Sequence, residues 1–304
     1  MKHWIRGAAA FLTVSLLLAS CSGKGPVESS QTSLPAPEPI FSSVEEYPRV
    51  DGSTANLPLM ARVLADTCGV SPEEAENWTG NTGTNTSWNR LVDGDVDLLL
   101  VYEAPADTQA KIKASGVELE VTPVGRDALV FLVNSGNPVK DLSQKQLRDI
   151  YTGKTANWKD LGGDDQEIFP FQRNPTSGSQ TMFLKLLMKD VTPMDPPEDL
   201  TVGGMGQLID TVASYDNSAG AIGYSVYYYA SEMYGNPDLR LLSVDGVEPT
   251  KKTIADGSYP LLNEFYLAIR ADEPVGSAAR RLRDWILGDD GRRAFEETNY
   301  VPIF

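Results

Sequence analysis

Arg173 stands four residues ahead of Ser177-Gly178-Ser179, inside the run Gln172 to Met182 (QRNPTSGSQTM). One guanidinium, two hydroxyls and a glycine at this spacing suit a tetrahedral oxyanion. The preceding EIFPFQ has strand character, and FLKLLMK from Phe183 has a helical pattern. The cluster therefore falls on a strand-to-helix turn, where the first N–H groups of a helix lack partners within it. Such N–H groups, flanking hydroxyls and a bidentate arginine can hold an anion together. The alternative is an ordinary helix cap at Ser177 or Ser179, with Arg173 a surface charge.

Two further turns carry the same chemistry. DGSTANLPL (51–59) offers the hydroxyls of Ser53 and Thr54 and the N–H groups of Thr54 and Ala55. TGNTGTNTSW (79–88) offers Thr84, Asn85 and Thr86 at another helix start. In an open α/β fold, ligands bind where helix starts gather at the carboxyl ends of strands. Three polar helix starts then describe one shared anion pocket, or else three separate caps. Glu103 follows the apolar VDLLLVY and precedes Ala-Pro. A carboxylate beside an anion can accept a hydrogen bond from the O–H of HPO₄²⁻ and none from sulfate, which would make it a filter. The alternative is a solvated residue at a strand end.

Short apolar runs alternate with helical patterns along the chain, the signature of an open α/β sheet. Expected strands are YPRVDG, VDLLLVYE, ALVFLVN, EIFPFQ, AIGYS and EFYLAIR; expected helices cover 57–68, 72–77, 86–93, 107–114, 143–150, 179–189, 204–214, 225–232 and 277–287. Tyr224, Tyr227, Tyr228 and Tyr229 follow a strand at helical spacing and are expected to pack rather than stack on a sugar. Trp78, Trp88 and Trp158 are assigned to packing as well. DGDVD (93–97) and GGDD (162–165) lack the full ligand spacing of a calcium loop and are assigned to turns.

The first twenty residues have a basic start and an apolar run too short to span a membrane comfortably, as in a secretory signal. Leu18-Ala19-Ser20-Cys21 is similar to a bacterial lipobox, which implies cleavage before Cys21 and lipid on its thiol; a plain signal with an incidental cysteine is the alternative. Loss of Lys2 and Arg6 takes 26 basic residues to 24 against 42 acidic ones, a net charge of −18. That excludes nucleic acid as a partner and leaves anion binding to local dipoles. His3, the one histidine, lies in this segment, so Ser-His-Asp catalysis and histidine zinc sites are excluded. Cys68 is then the one cysteine besides Cys21, and is expected to be a small buried hydrophobe. An enzyme using Asp51, Asp97 and Glu103 as acid, base or metal ligands lacks a spaced carboxylate cluster. No enzyme, metal or cofactor is expected. Residues 21–46, rich in Ser, Pro, Gly and Glu, are expected to be a flexible tether reaching roughly 25–30 Å.

DGSTA, GRDALVFLVN (125–134), LSQKQLRDIYTGKTANWKDLGG (142–163), RNPTSGSQT (173–181) and SAGAIGYS (218–225) together resemble the phosphate-binding lipoproteins of bacterial phosphate ABC transporters. These belong to the type II periplasmic-binding-protein superfamily. The resemblance implies a two-lobed α/β fold with a ligand cleft between the lobes. Lobe one would take 47–128 plus 264–304 and lobe two 129–263, with crossings near Val130 to Val133 and Glu264 to Ala268. It places anion contacts on Ser53, Thr54 and Ala55, on Gly83 to Ser87, on Arg173, and on Ser177, Gly178 and Ser179. It places the acceptor on Glu103, where the family carries an aspartate. It implies a lipid-anchored monomer on the outer face of the cell membrane that captures phosphate or a similar oxyanion for an ABC permease. A surface sensor or adhesion module on the same fold is the alternative.

Overall fold

A computed structural model describes residues 37–196, 201–214 and 218–304. The signal, Cys21 and the first part of the tether lie outside the described residues. The end of the expected tether is not loose. The N–H groups of Ile40 and Phe41 both donate to the Thr67 carbonyl, at 2.9 and 3.0 Å. The Phe41 ring is buried, lies 4.7 Å beneath the Arg281 guanidinium and meets Tyr47 edge-on. Burying that one large side chain draws the packed body back to about residue 40, ahead of the expected start at 47.

Twelve strands form among the described residues: β1 (Val50–Gly52), β2 (Leu98–Tyr102), β3 (Leu119–Asn134), β4 (Asp141–Leu142), β5 (Phe169–Pro170), β6 (Gln172–Arg173), β7 (Thr201–Val202), β8 (Ala221–Val226), β9 (Leu239–Leu241), β10 (Ser243–Val244), β11 (Leu262–Arg270) and β12 (Val301–Pro302). The main eight-stranded sheet runs β1-β2-β11-β3-β8-β5, with β9 and β12 also on β3. β1 and β2 are parallel, as are β5 and β8, while β3 runs antiparallel to both β11 and β8.

β3 changes partner along its length. Leu119 to Ala128 pair with β11, and Leu129 to Val133 pair with β8. The apolar run from Ala128 predicts only the second half of this strand; in the first half Val121 and Pro123 are exposed among polar neighbours. β2 shows why LLLVY reads as an unbroken apolar run. Leu98, Leu100 and Tyr102 enter the main core, while Leu99 and Val101 join Trp88, Leu91, Val96 and Ala268 on the other face. A central strand covered on both faces needs apolar residues at every position.

The helix Leu57–Cys68 ends at Gly69 in the left-handed region, and Cys68 is buried as a free thiol. The expected helix 179–189 forms as an α-helix, Gly178–Met182, running on as a π-helix, Phe183–Met188. The expected helix 225–232 begins later, because Ser225 and Val226 complete β8. Tyr224, Tyr228 and Tyr229 are buried packing residues; Tyr224 lies flat on Phe183 at 4.4 Å. Trp88 and Trp158 are buried, but Trp78 is 57% exposed and packs little. Among the described residues no helix is long and apolar enough to cross a membrane, and no three His, Cys, Asp or Glu side chains gather as a metal site would need.

Candidate functional site

The first loop leaves β1 through Gly52. A Cβ there would stand 1.9 Å from the Leu100 carbonyl oxygen, so only glycine lets β1 lie this close to β2. The Ser53 N–H then donates to that same carbonyl at 3.1 Å. Ser53 is buried; its Oγ accepts the Tyr102 N–H at 3.0 Å and shares a 2.7 Å bond with Thr84 Oγ1. The Asn81 amide bonds the Thr54 hydroxyl at 3.0 Å. Turned to satisfy both its ends, that amide also accepts the N–H groups of Thr54 and Gly83. Ala55 is fully buried and does not line the cleft, contrary to its expected direct contact.

The second loop is fastened from below by Asp51. This carboxylate is 1% exposed and accepts from the Gly52 N–H, the Thr82 N–H, Thr82 Oγ1 at 2.6 Å and Arg90 Nη1 at 2.6 Å. Its acceptors are committed to holding the loop, which answers the enzyme reading for Asp51. The helix Thr84–Asp93 starts after Gly83, whose φ of 84° favours glycine. Thr84, Asn85 and Thr86 face the cleft, with Asn85 Oδ1 fixed by the Thr108 hydroxyl.

The third loop follows β6. β6 pairs with β7, and Arg173 at its end is buried. The Arg173 N–H donates to the Tyr224 hydroxyl at 3.1 Å and to Gln180 Oε1 at 3.2 Å. Its guanidinium donates to Ser179 Oγ at 3.4 Å and to the Gly203 carbonyl at 3.0 Å. Burial lowers its pKa from the ordinary value, yet an arginine keeps its charge. Ser177 Oγ caps the Gln180 N–H at 3.1 Å and also lines the cleft, so capping and lining coexist in one residue.

The three loops enclose a cavity of about 250 Å³. Ser53, Thr54, Thr84, Asn85, Thr86, Arg173, Ser177, Gly178 and Ser179 all line it. So do Thr82, Tyr102, Asn174, Thr176, Gly203, Gly204 and Met205, which the sequence reading did not assign. Gly203-Gly204 opening the helix Met205–Ser214 is a fourth polar helix start, and that signal was available in the sequence. The lobes touch across the cleft at Gly178: a Cβ on it would fall 2.6 Å from Thr84 Oγ1.

Glu103 departs from its expected place. It does not line the cavity. Its Oε2 is paired with Lys185 from the facing lobe, and its Oε1 accepts from Gln109 Nε2 at 3.3 Å. Tyr102, the last residue of β2, buries its ring in the core, while Glu103, just past the strand, lines a separate groove beside Trp88, Ala104 and Tyr266. The bonds from Lys185 and Gln109 occupy both of its carboxylate oxygens.

A family model described as a PBP superfamily domain matches residues 42–290. The chain belongs to this family. It is 27% identical over 301 residues to the phosphate-binding protein PstS of Bacillus subtilis (strain 168), covering 97% of this chain and 91% of that protein. It is 25% identical to the phosphate-binding protein PstS of Staphylococcus saprophyticus, covering 100% and 91%. In three dimensions it is similar to a phosphate ABC transporter substrate-binding protein with bound phosphate from Clostridium perfringens, with a TM-score of 0.66, 23% identity, and coverage of 84% and 98%. An ABC-type phosphate transport receptor from Vibrio cholerae gives 0.61 at 21% identity, covering 83% and 98%. These likenesses establish the two-lobed fold of substrate-binding proteins.

Proposed function

We propose that this chain is an extracytoplasmic solute-binding lipoprotein that captures inorganic phosphate between its lobes and delivers it to an ABC permease. The observation that carries this reading is the cleft itself, where hydroxyls of Ser53, Thr54, Thr84, Ser177 and Ser179 surround the buried Arg173. Charge-assisted hydrogen bonds in a site shielded from water are strong, and a fixed array of donors loses little entropy on binding. The whole chain carries a charge of −16, so attraction for an anion has to come from these local donors. The relatives named for phosphate binding support the choice of ligand.

Lobe one would comprise 47–128 with 264–304 and lobe two 129–263, closing on the ligand as a monomer. Lipid on Cys21 would hold the protein at the outer face of the membrane, and mass spectrometry of the purified chain reads that lipid directly. The reading excludes catalysis: the cleft's work is binding. Calorimetric titration with phosphate, sulfate, molybdate and tungstate is the test. One phosphate per chain is expected, and Arg173→Ala is expected to weaken it by roughly 2–5 kcal/mol, the loss of a buried charge-assisted partner. No heat with any of the four anions, or unchanged affinity in Arg173→Ala, would remove the assignment.

A further inference from the structure

Asp127 lies where β3 changes partner, opposite Asn263 on β11 and two residues before Leu129 takes up β8. It is 3% exposed. Its Oδ1 accepts the N–H groups of Ala128 at 2.7 Å and Tyr228 at 3.2 Å; its Oδ2 accepts the Tyr102 hydroxyl at 2.6 Å. Tyr228 follows β8 and so comes from the far side of the partner change. Tyr102 ends β2 and lines the anion cleft.

The same residues form a closed circuit. Tyr102 gives its N–H to Ser53 Oγ, which is bonded to Thr84 at the second loop. Tyr228 lies on Tyr300 with ring centroids 3.6 Å apart and donates its hydroxyl to the Thr298 carbonyl at 2.7 Å. The Tyr300 hydroxyl donates to the Ala55 carbonyl at 2.6 Å, back in the first loop. Ser53 and Ala55, two residues apart, are thus each tied to the carboxylate at the partner change, one through Tyr102 and the other through Tyr300 and Tyr228. A rotation of β8 against β11 strains every link in this circuit. A shift of the first loop strains the same links from the other end.

We propose that Tyr102 and Asp127 are positioning residues for anion binding, coupling occupancy of the cleft to the angle between the lobes. The proposal rests on the reading of the cleft as an oxyanion site. Its components are fixed pairwise bonds with a single arrangement, so their loss leaves the lobes free to sample angles at which Thr84 and Gly178 no longer meet. Buried networks of this kind act as a unit.

The test uses the full chain with inorganic phosphate as the probe. Tyr102→Phe and Asp127→Ala are each expected to weaken phosphate at least tenfold, and the double variant no more than either alone. Asp127→Asn keeps an acceptor for the two N–H groups and a donor for the Tyr102 hydroxyl, and is expected to stay within about threefold of the parent. Phosphate is expected to slow amide exchange at Tyr228 in the parent and not in Tyr102→Phe, a readout that simple loss of packing does not move. A coupling arm needs no ligand: Tyr102→Phe and Thr84→Val should be non-additive in the unfolding constant by more than threefold. Additive unfolding effects, or phosphate affinity within threefold of the parent in both Tyr102→Phe and Asp127→Ala, would overturn the coupling. Absence of phosphate binding in the parent would instead count against the proposed function, and the unfolding cycle would still decide the coupling.

Discussion

Gly178 acts at a single atom. Its missing Cβ is what lets the third loop seat against Thr84, which is buried and cannot swing aside. Gly178→Ala is expected to hold the lobes apart and weaken phosphate by about 1–3 kcal/mol, the usual cost of forcing a methyl group into a packed contact. Calorimetry reads this directly, and affinity within twofold of the parent would refute it. Glu103 supplies the opposite lesson. Paired with Lys185 and away from the cleft lining, it is not placed to meet a bound anion. Glu103→Gln is expected to leave the phosphate-to-sulfate ratio unchanged in competition titrations. Because the pair is partly exposed, its loss should shift the affinity for both anions by no more than about 1 kcal/mol. The residue types of the cleft were legible in the sequence because hydroxyls, glycine and arginine recur at three helix starts, although the same residues also serve as caps, as Ser177 does. The orientation of Glu103 was not, because it depends on Lys185, 82 residues away in the chain.

At the scale of elements, local signals served well where the chain caps itself. Ser143 opens the helix Gln144–Tyr151 with a full capping box, its Oγ on the Gln146 N–H and Gln146 Oε1 on the Ser143 N–H. Ser143→Ala is expected to lower stability by about 1 kcal/mol and leave phosphate affinity alone, since no residue of this helix lines the cleft. Thermal unfolding and titration of the one variant check both halves. Local signals failed where pairing overrides pattern. Glu120, Thr122 and Arg126 give the first half of β3 a polar look, yet β11 pairs with it along its whole length. The helix Asp289–Glu297 lies beyond the expected helices, with Gly291 in its first turn. That glycine is there for packing: a Cβ would fall 2.0 Å from the Ile286 carbonyl oxygen.

For the molecule as a whole, Asp127 sets a dependence on pH. Burial pushes its pKa from 3.8 up to about 6, against the hydrogen bonds from Tyr102, Ala128 and Tyr228 that pull it down. The folded state therefore holds this proton more tightly than the unfolded chain does. Its contribution is fully present below pH 4 and is lost as pH rises through 6, by roughly 3 kcal/mol at most. Unfolding midpoints in denaturant between pH 4 and 7 measure the slope. Asp127→Asn has no proton to lose there and is expected to flatten it; an unchanged slope in that variant would assign the dependence to other groups.

β3 runs for sixteen residues without a break through both lobes. On the proposed two-lobed closure, opening the cleft would flex this ribbon. In a ribbon the strain spreads over many peptide units, and no residue has to cross to another region of backbone space. The restoring force grows smoothly with angle, as in a leaf spring. If the lobes close on an ion as proposed, capture would bend this spring and release would return it to rest.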